Sequence, residues 1–121
     1  MMEKLNDLLE RLRKFKRDRD WEKYHNPKDV AISVVIEASE LLEIFQWIEP
    51  SELPTVVEER MDRIKDEIAD VFLYLLSLCD ALNLDILKIS FEKLEKNEKK
   101  YPVERFKGTR RKYNEFPLED G

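Results

Sequence analysis

Residues 1–107 contain no glycine, and the prolines fall at positions 27, 50, 54, 102 and 117. A chain with so few backbone breakers has few places to turn, which points to long helices joined by short connections. The apolar pattern agrees. Leu5, Leu8, Leu9, Leu12 and Phe15 recur at intervals of three and four, the period of one helix face, and this first helix fades near Trp21. Asn26 before Pro27 reads as an N-cap with proline in the first turn, and Asp29 adds charge near the positive end of the helix dipole. The second helix should run to about Ile48. A third and longest helix follows Pro54 and reaches about Leu82. Asn83 and Asp85 offer a break and a new cap, so a fourth helix should end before Pro102. Residues 102–121 show no clear period and read as an irregular tail. The expectation is an all-α four-helix bundle forming one domain over residues 1–121.

The second helix is apolar nearly all round, from Val30 through Ile32, Val35, Ile36 and Leu42 to Ile48. One monomer core cannot cover so many directions, so a homo-oligomer, dimer or tetramer, is expected. Composition removes several function classes. With 27 acidic against 22 basic side chains the net charge is -5, which argues against a general nucleic-acid coat. Cys79 is the single cysteine, so no intrachain disulfide, thiolate zinc site or CxxC pair is available, and a reducing cytoplasm fits best. The charged opening stretch MMEKLNDLLERLRKFKRDRD lacks the apolar run of a signal peptide or membrane span.

The informative residues are acids inside the most apolar helices. Glu37 and Glu40 are three apart in VVIEASELLEIFQW, with Glu43 one residue triplet further on, and Glu67 and Asp70 repeat the spacing in DEIADVFLYLL. Residues three apart are neighbours on one helix face. If these helices pack antiparallel, four carboxylates surround one small volume, which is unfavourable unless protons or cations neutralise them. The all-oxygen set favours magnesium, or manganese in its place. His25 is the only histidine, so a di-iron site needing two Glu-x-x-His elements and most zinc hydrolases drop out by counting. Magnesium on carboxylates usually keeps positions for water or substrate phosphate, so phosphoryl chemistry leads. One Glu-x-x-Glu alone is most often a solvated face. Two such pairs in apolar runs weaken that explanation.

Charge and aromatics extend the pattern. Residues 88–112 carry 10 basic and 4 acidic side chains, and Lys93, Asn97 and Lys100 are spaced to share a helix face that could meet phosphates. An ordinary solvated helix with Glu–Lys pairs explains the same residues equally well. Trp47 is seven residues after Glu40 and Tyr74 four after Asp70, which puts each on the carboxylate face of its expected helix and suits base stacking. Aromatics at such spacing are otherwise core residues. His25, near Trp21 at the junction of the first two helices, fits a satisfied polar residue beside a loop better than a catalytic base.

These residues resemble the all-α nucleotide pyrophosphohydrolases, the superfamily that includes MazG proteins and dimeric dUTPases. Its metal motif pairs Glu-x-x-Glu on one helix with Glu-x-x-Asp on a later one, matched by Glu37/Glu40 and Glu67/Asp70. The stretches RDRDWEKYHNP, EASELLEIFQW, DEIADVFLYLL, KLEKNEKKYPV and RRKYNE most resemble the dCTP pyrophosphatase group. The resemblance implies magnesium on the four carboxylates, phosphate or sugar contacts from Lys93 and Asn97, and a nucleotide pocket lined by Trp21, His25, Trp47 and Tyr74. Lys100 and Tyr101 are further candidates. It also implies hydrolysis of a nucleoside triphosphate to monophosphate and pyrophosphate, in oligomers built around shared helices. Ile36 departs from the small or acidic residue common in related motifs, and the connection from Ile48 to Arg60 is short, which bears on substrate range. The resulting expectation is a magnesium-dependent dCTP or modified-dCTP pyrophosphohydrolase that cleanses nucleotide pools. The alternatives are the same chemistry on other or more bases, and a non-enzymatic helical interaction module with solvated acids.

Overall fold

The computed structural model describes residues 2–108, and those residues form helices and turns without a strand. In chain order they are α1 (Met2–Asp18), α2 (Pro27–Phe45), α3 (Leu53–Glu59), α4 (Met61–Ala81), α5 (Ile86–Lys100) and α6 (Val103–Phe106), with single 3-10 turns at Glu22–Tyr24 and Pro50–Glu52. The chain divides into two compact units, Met1–Leu84 and Asp85–Gly121. In the first, α2 and α4 form the principal helix pair, with α1 and α3 packed on α4.

The expected caps are present. Asn26 Oδ1 accepts from the Asp29 N–H at 2.9 Å with Pro27 in the first turn, and Asp85 Oδ1 accepts from the Leu87 and Lys88 N–H groups at 3.0 and 3.1 Å. Each satisfies donors that a helix start leaves open. The helix ends were less visible. α2 stops at Phe45, three residues short of the expected Ile48, so Trp47 stands in the following turn at φ 66° and 92% exposed. It therefore does not share a helix face with Glu40. The expected third helix divides at Arg60, whose backbone leaves helical geometry at φ -108°, ψ 16°. The expected irregular tail contains α6, which Pro102 opens, while RRKYNE lies outside the described residues.

Two reversals share one hydrogen-bond pattern. After α1, Trp21 N–H donates to Lys16 C=O and Asp20 N–H to Arg17 C=O; after α4, Leu84 N–H donates to Cys79 C=O and Asn83 N–H to Asp80 C=O. These are Schellman motifs, which need a left-handed residue usually supplied by glycine. Asp20 at φ 55° and Asn83 at φ 56° take that place here.

The core is small: Val30 and Ile44 of α2, Val56 of α3, and Ile64, Leu76 and Cys79 of α4 are buried. Around it, Ile32, Val35, Ile36 and Leu42 on α2 and Ile68 and Phe72 on α4 remain exposed in the single chain. No helix among the described residues is long and apolar enough to cross a membrane.

Arg60 turns the α3–α4 break into a tie across the unit. Its Nη1 donates to the Ile44 carbonyl at 2.8 Å, placing a cation at the negative end of α2. Arg60→Met should lower stability by about 1–2 kcal/mol, read as a drop of several degrees in melting temperature. Arg60→Lys should recover part of that loss.

Candidate active site

The α2–α4 pair runs antiparallel, as successive cross-helix relations demonstrate. Glu43 faces Arg63 at 3.7 Å, Glu40 meets Glu67, Glu37 and Asp70 share a cluster, and Ser33 and Tyr74 line one cavity. The two acidic pairs consequently converge. One oxygen each from Glu37, Glu67 and Asp70 lies within 4.8 Å of the others, and Glu40 is close enough to Glu37 and Glu67 to perturb both carboxyls. Glu43 pairs with Arg63 and stands apart from this cluster.

Two facts separate the group from a solvated acidic face. Glu37 Oε2 and Glu67 Oε2 are buried and have no hydrogen-bond partner among the described residues. A buried carboxylate oxygen without a donor is costly unless a proton or cation serves it. In addition, both carboxyls are pushed above the usual glutamate range. For each, burial is the main cause, followed by contact with Glu40 and then by the charges of Glu40 and Asp70; Arg63 partly offsets this at Glu67. An oxygen-only set with unserved buried atoms fits a hard divalent cation.

Beside the acids lies an aromatic cavity. Trp21, Tyr24, His25 and Tyr74 line a space of about 180 Å³ together with Lys16 and Ser77. A neighbouring space of about 240 Å³ shares Lys16, Trp21, Tyr74 and Ser77 and adds Asp70. Three of the four expected pocket residues, Trp21, His25 and Tyr74, thus meet at one place, next to a carboxylate of the cluster. Trp47 lines neither space. Lys93 and Asn97 lie one turn apart on α5 in the second unit and line a shallow groove there; Lys100 ends that helix, and Tyr101 packs edge-on against Phe106 at 4.7 Å.

Lys16, Ser77 and Tyr24 were not singled out from the sequence. Lys16 follows Leu12 by four on the apolar face of α1, and Ser77 interrupts the run LYLLSLCDAL. A polar group within an apolar pattern, the signal that exposed the glutamates, was present at both. Here Lys16 Nζ donates to Ser77 Oγ at 2.6 Å and lies 3.1 Å from His25 Nδ1. Burial is the main cause of a lowered pKa at both Lys16 and His25, and at His25 the Lys16 charge adds to it.

The chain as a whole is similar to known proteins. Residues 32–116 match the MazG-like family, and the chain belongs to it. Among curated relatives, dCTP pyrophosphatase 1 of Homo sapiens is 32% identical over 116 residues, which cover 93% of this chain and 68% of that one. The Rattus norvegicus dCTP pyrophosphatase 1 is 30% identical over 115 residues with the same coverage. Among solved structures, a pyrophosphatase from Archaeoglobus fulgidus aligns with a TM-score of 0.78 at 47% identity, covering 81% of this chain and 92% of that one.

Because Glu37 and Glu67 hold protons more tightly folded than unfolded, proton uptake favours the folded state. Acidifying the metal-free protein from neutrality toward the ordinary carboxylate range should therefore raise its melting temperature relative to Glu67→Gln. That relative gain should be complete below the ordinary range and vanish as pH rises through the elevated values. At neutral pH, added divalent cation should stabilise the native chain and leave Glu67→Gln nearly unmoved.

Proposed function

We propose that this chain is a nucleoside triphosphate pyrophosphohydrolase that uses magnesium, with manganese able to replace it, and favours dCTP or modified deoxycytidine triphosphates. The reading rests on one observation above all: an acidic cluster with two unpartnered buried oxygens adjoins an aromatic cavity through Asp70. A triphosphate and a base are the two halves of a ligand that would need both. The names of the curated relatives support the reaction and the cytidine preference.

Glu37, Glu40, Glu67 and Asp70 would hold the ion. Bound there, it neutralises the carboxylates and phosphates and supplies Lewis acidity at the phosphate oxygens. The chain's own groups supply orientation and proton transfer. Glu40, in contact with both Glu37 and Glu67, accepts the proton of the water that attacks the α-phosphorus, so the bond to the bridging oxygen breaks and pyrophosphate leaves. Trp21 and Tyr74 offer ring faces to the base, with His25 at the edge of the same cavity. Trp47, exposed in its turn, adds a further stacking surface. For Lys93 and Asn97, with Lys100 and Tyr101 further along the chain, the proposed role in phosphate or sugar contact rests on the sequence resemblance.

The assembly in this reading is a homo-oligomer, dimer or tetramer, working on cytoplasmic nucleotide pools. The exposed apolar stripe of Ile32, Val35, Ile36 and Leu42 supports it, because apolar surface of this kind is normally covered. α2 would then be central to the interface.

Glu67→Gln and Asp70→Asn should each abolish turnover while circular dichroism finds the helices intact. Near-full activity in both variants would overturn the assignment of the acids. In isotopically labelled water the label should enter the monophosphate; diphosphate and orthophosphate as first products would contradict attack at the α-phosphorus.

A further inference from the structure

The aromatic cavity has a polar end that the reaction scheme does not use. Lys16 reaches it from the last turn of α1, and its Nζ is fixed by Ser77 Oγ at 2.6 Å and His25 Nδ1 at 3.1 Å. An ammonium can only donate, so Nδ1 is the accepting nitrogen and the imidazole N–H lies at Nε2. That nitrogen stands 3.6 Å from Asp80 Oδ2, and Asp80 is gripped in turn by Arg13, with Nη2 at 2.6 Å and Nε at 3.1 Å. Ser77 is only 3% exposed. The chain Arg13–Asp80–His25–Lys16–Ser77 therefore holds one ammonium in a set position at the cavity.

A lysine ammonium carries three N–H groups, and the described residues supply partners for two of them. The cavity that Lys16 lines is walled by the rings of Trp21, Tyr24 and Tyr74, with Asp29, Val30 and Ser33 completing it. Ring faces accept a flat aromatic ligand, and a donor at the end of such a slot meets that ligand's edge. A donor in a poorly solvated place also penalises a ligand that brings no acceptor to it.

We infer that Lys16 reads the base: its remaining N–H donates to a carbonyl oxygen on the edge of the nucleobase, with Ser77 and His25 as positioning residues. Cytosine has such a carbonyl and adenine does not. The inference rests on reading the cavity as a nucleotide pocket, and it adds the group that discriminates within it.

The test is calorimetric titration of the full chain, without added metal, with deoxycytidine monophosphate and deoxyadenosine monophosphate. The native chain should prefer the cytidine nucleotide. Lys16→Met should weaken its binding about tenfold to a hundredfold and change adenosine nucleotide binding less than about threefold. Ser77→Ala, which keeps the ammonium but loosens it, should give a smaller loss confined to the cytidine nucleotide. Equal weakening of both ligands by Lys16→Met would make Lys16 a phosphate contact and overturn the inference, as would unchanged binding of both. Native binding of neither ligand would overturn it as well. Should Lys16→Met fail to fold by circular dichroism, Ser77→Ala decides alone, and an equal or absent effect on both ligands overturns it. A native chain that binds the cytidine nucleotide through Lys16 yet hydrolyses no triphosphate would refute the pyrophosphohydrolase reading and leave the inference standing.

Discussion

The antiparallel register of α2 against α4 is the constraint on which everything else depends. Moving back along α2 from Glu43 to Glu40, Glu37, Ser33 and Val30 moves forward along α4 from Arg63 to Glu67, Asp70, Tyr74 and Ser77. One pairing therefore supplies an ion pair, an acidic cluster, a cavity wall and part of the core. A slip of one residue would rotate each side chain about 100° around its helix and disperse all four features together. The apolar residues that fix this register, Val30, Ile44, Ile64 and Leu76, are few, and Arg60 reinforces them by tying the α3–α4 break to the end of α2.

Within α4 two carboxylates meet opposite surroundings. Asp80 lies beside Arg13, whose guanidinium holds its carboxyl below the usual range. Glu67, about four turns earlier, is pushed above it by burial and neighbouring acids. The fold thus pairs one half-buried acid internally and leaves another, with Glu37, carrying a buried oxygen that an outside cation could serve. Electrostatic compensation is available in this small unit and is withheld at one place, which is how a binding site differs from a structural ion pair.

Much of this was legible in local pattern. The Asn26–Pro27 and Asp85 caps, the apolar period of α1 and the spacing of the acidic pairs each act over three or four residues, the range at which sequence speaks directly. What stayed hidden has two physical origins. Some helix ends carry no breaker: Phe45 and Arg60 are ordinary helix residues, and α2 stops and α3 breaks there through tertiary geometry. This moved Trp47 off the helix face on which periodicity had put it. The Lys16–Ser77 and Arg13–Asp80 bonds join residues 61 and 67 apart, and no local period encodes such a meeting.

The glycine-free reversals have a consequence for the unfolded chain. Asp20, Trp47 and Asn83 each adopt a left-handed backbone two residues beyond the last residue of a long helix. A glycine at any of these positions would relieve native strain, yet it would also widen the set of conformations open to the denatured chain. Asparagine and aspartate adopt this geometry at lower cost than other side chains, and so keep the turn while limiting that freedom. Tryptophan has no such advantage. At position 47 a left-handed backbone and an exposed ring occur together, so the side chain buries nothing in the isolated fold that would offset the strain of its turn.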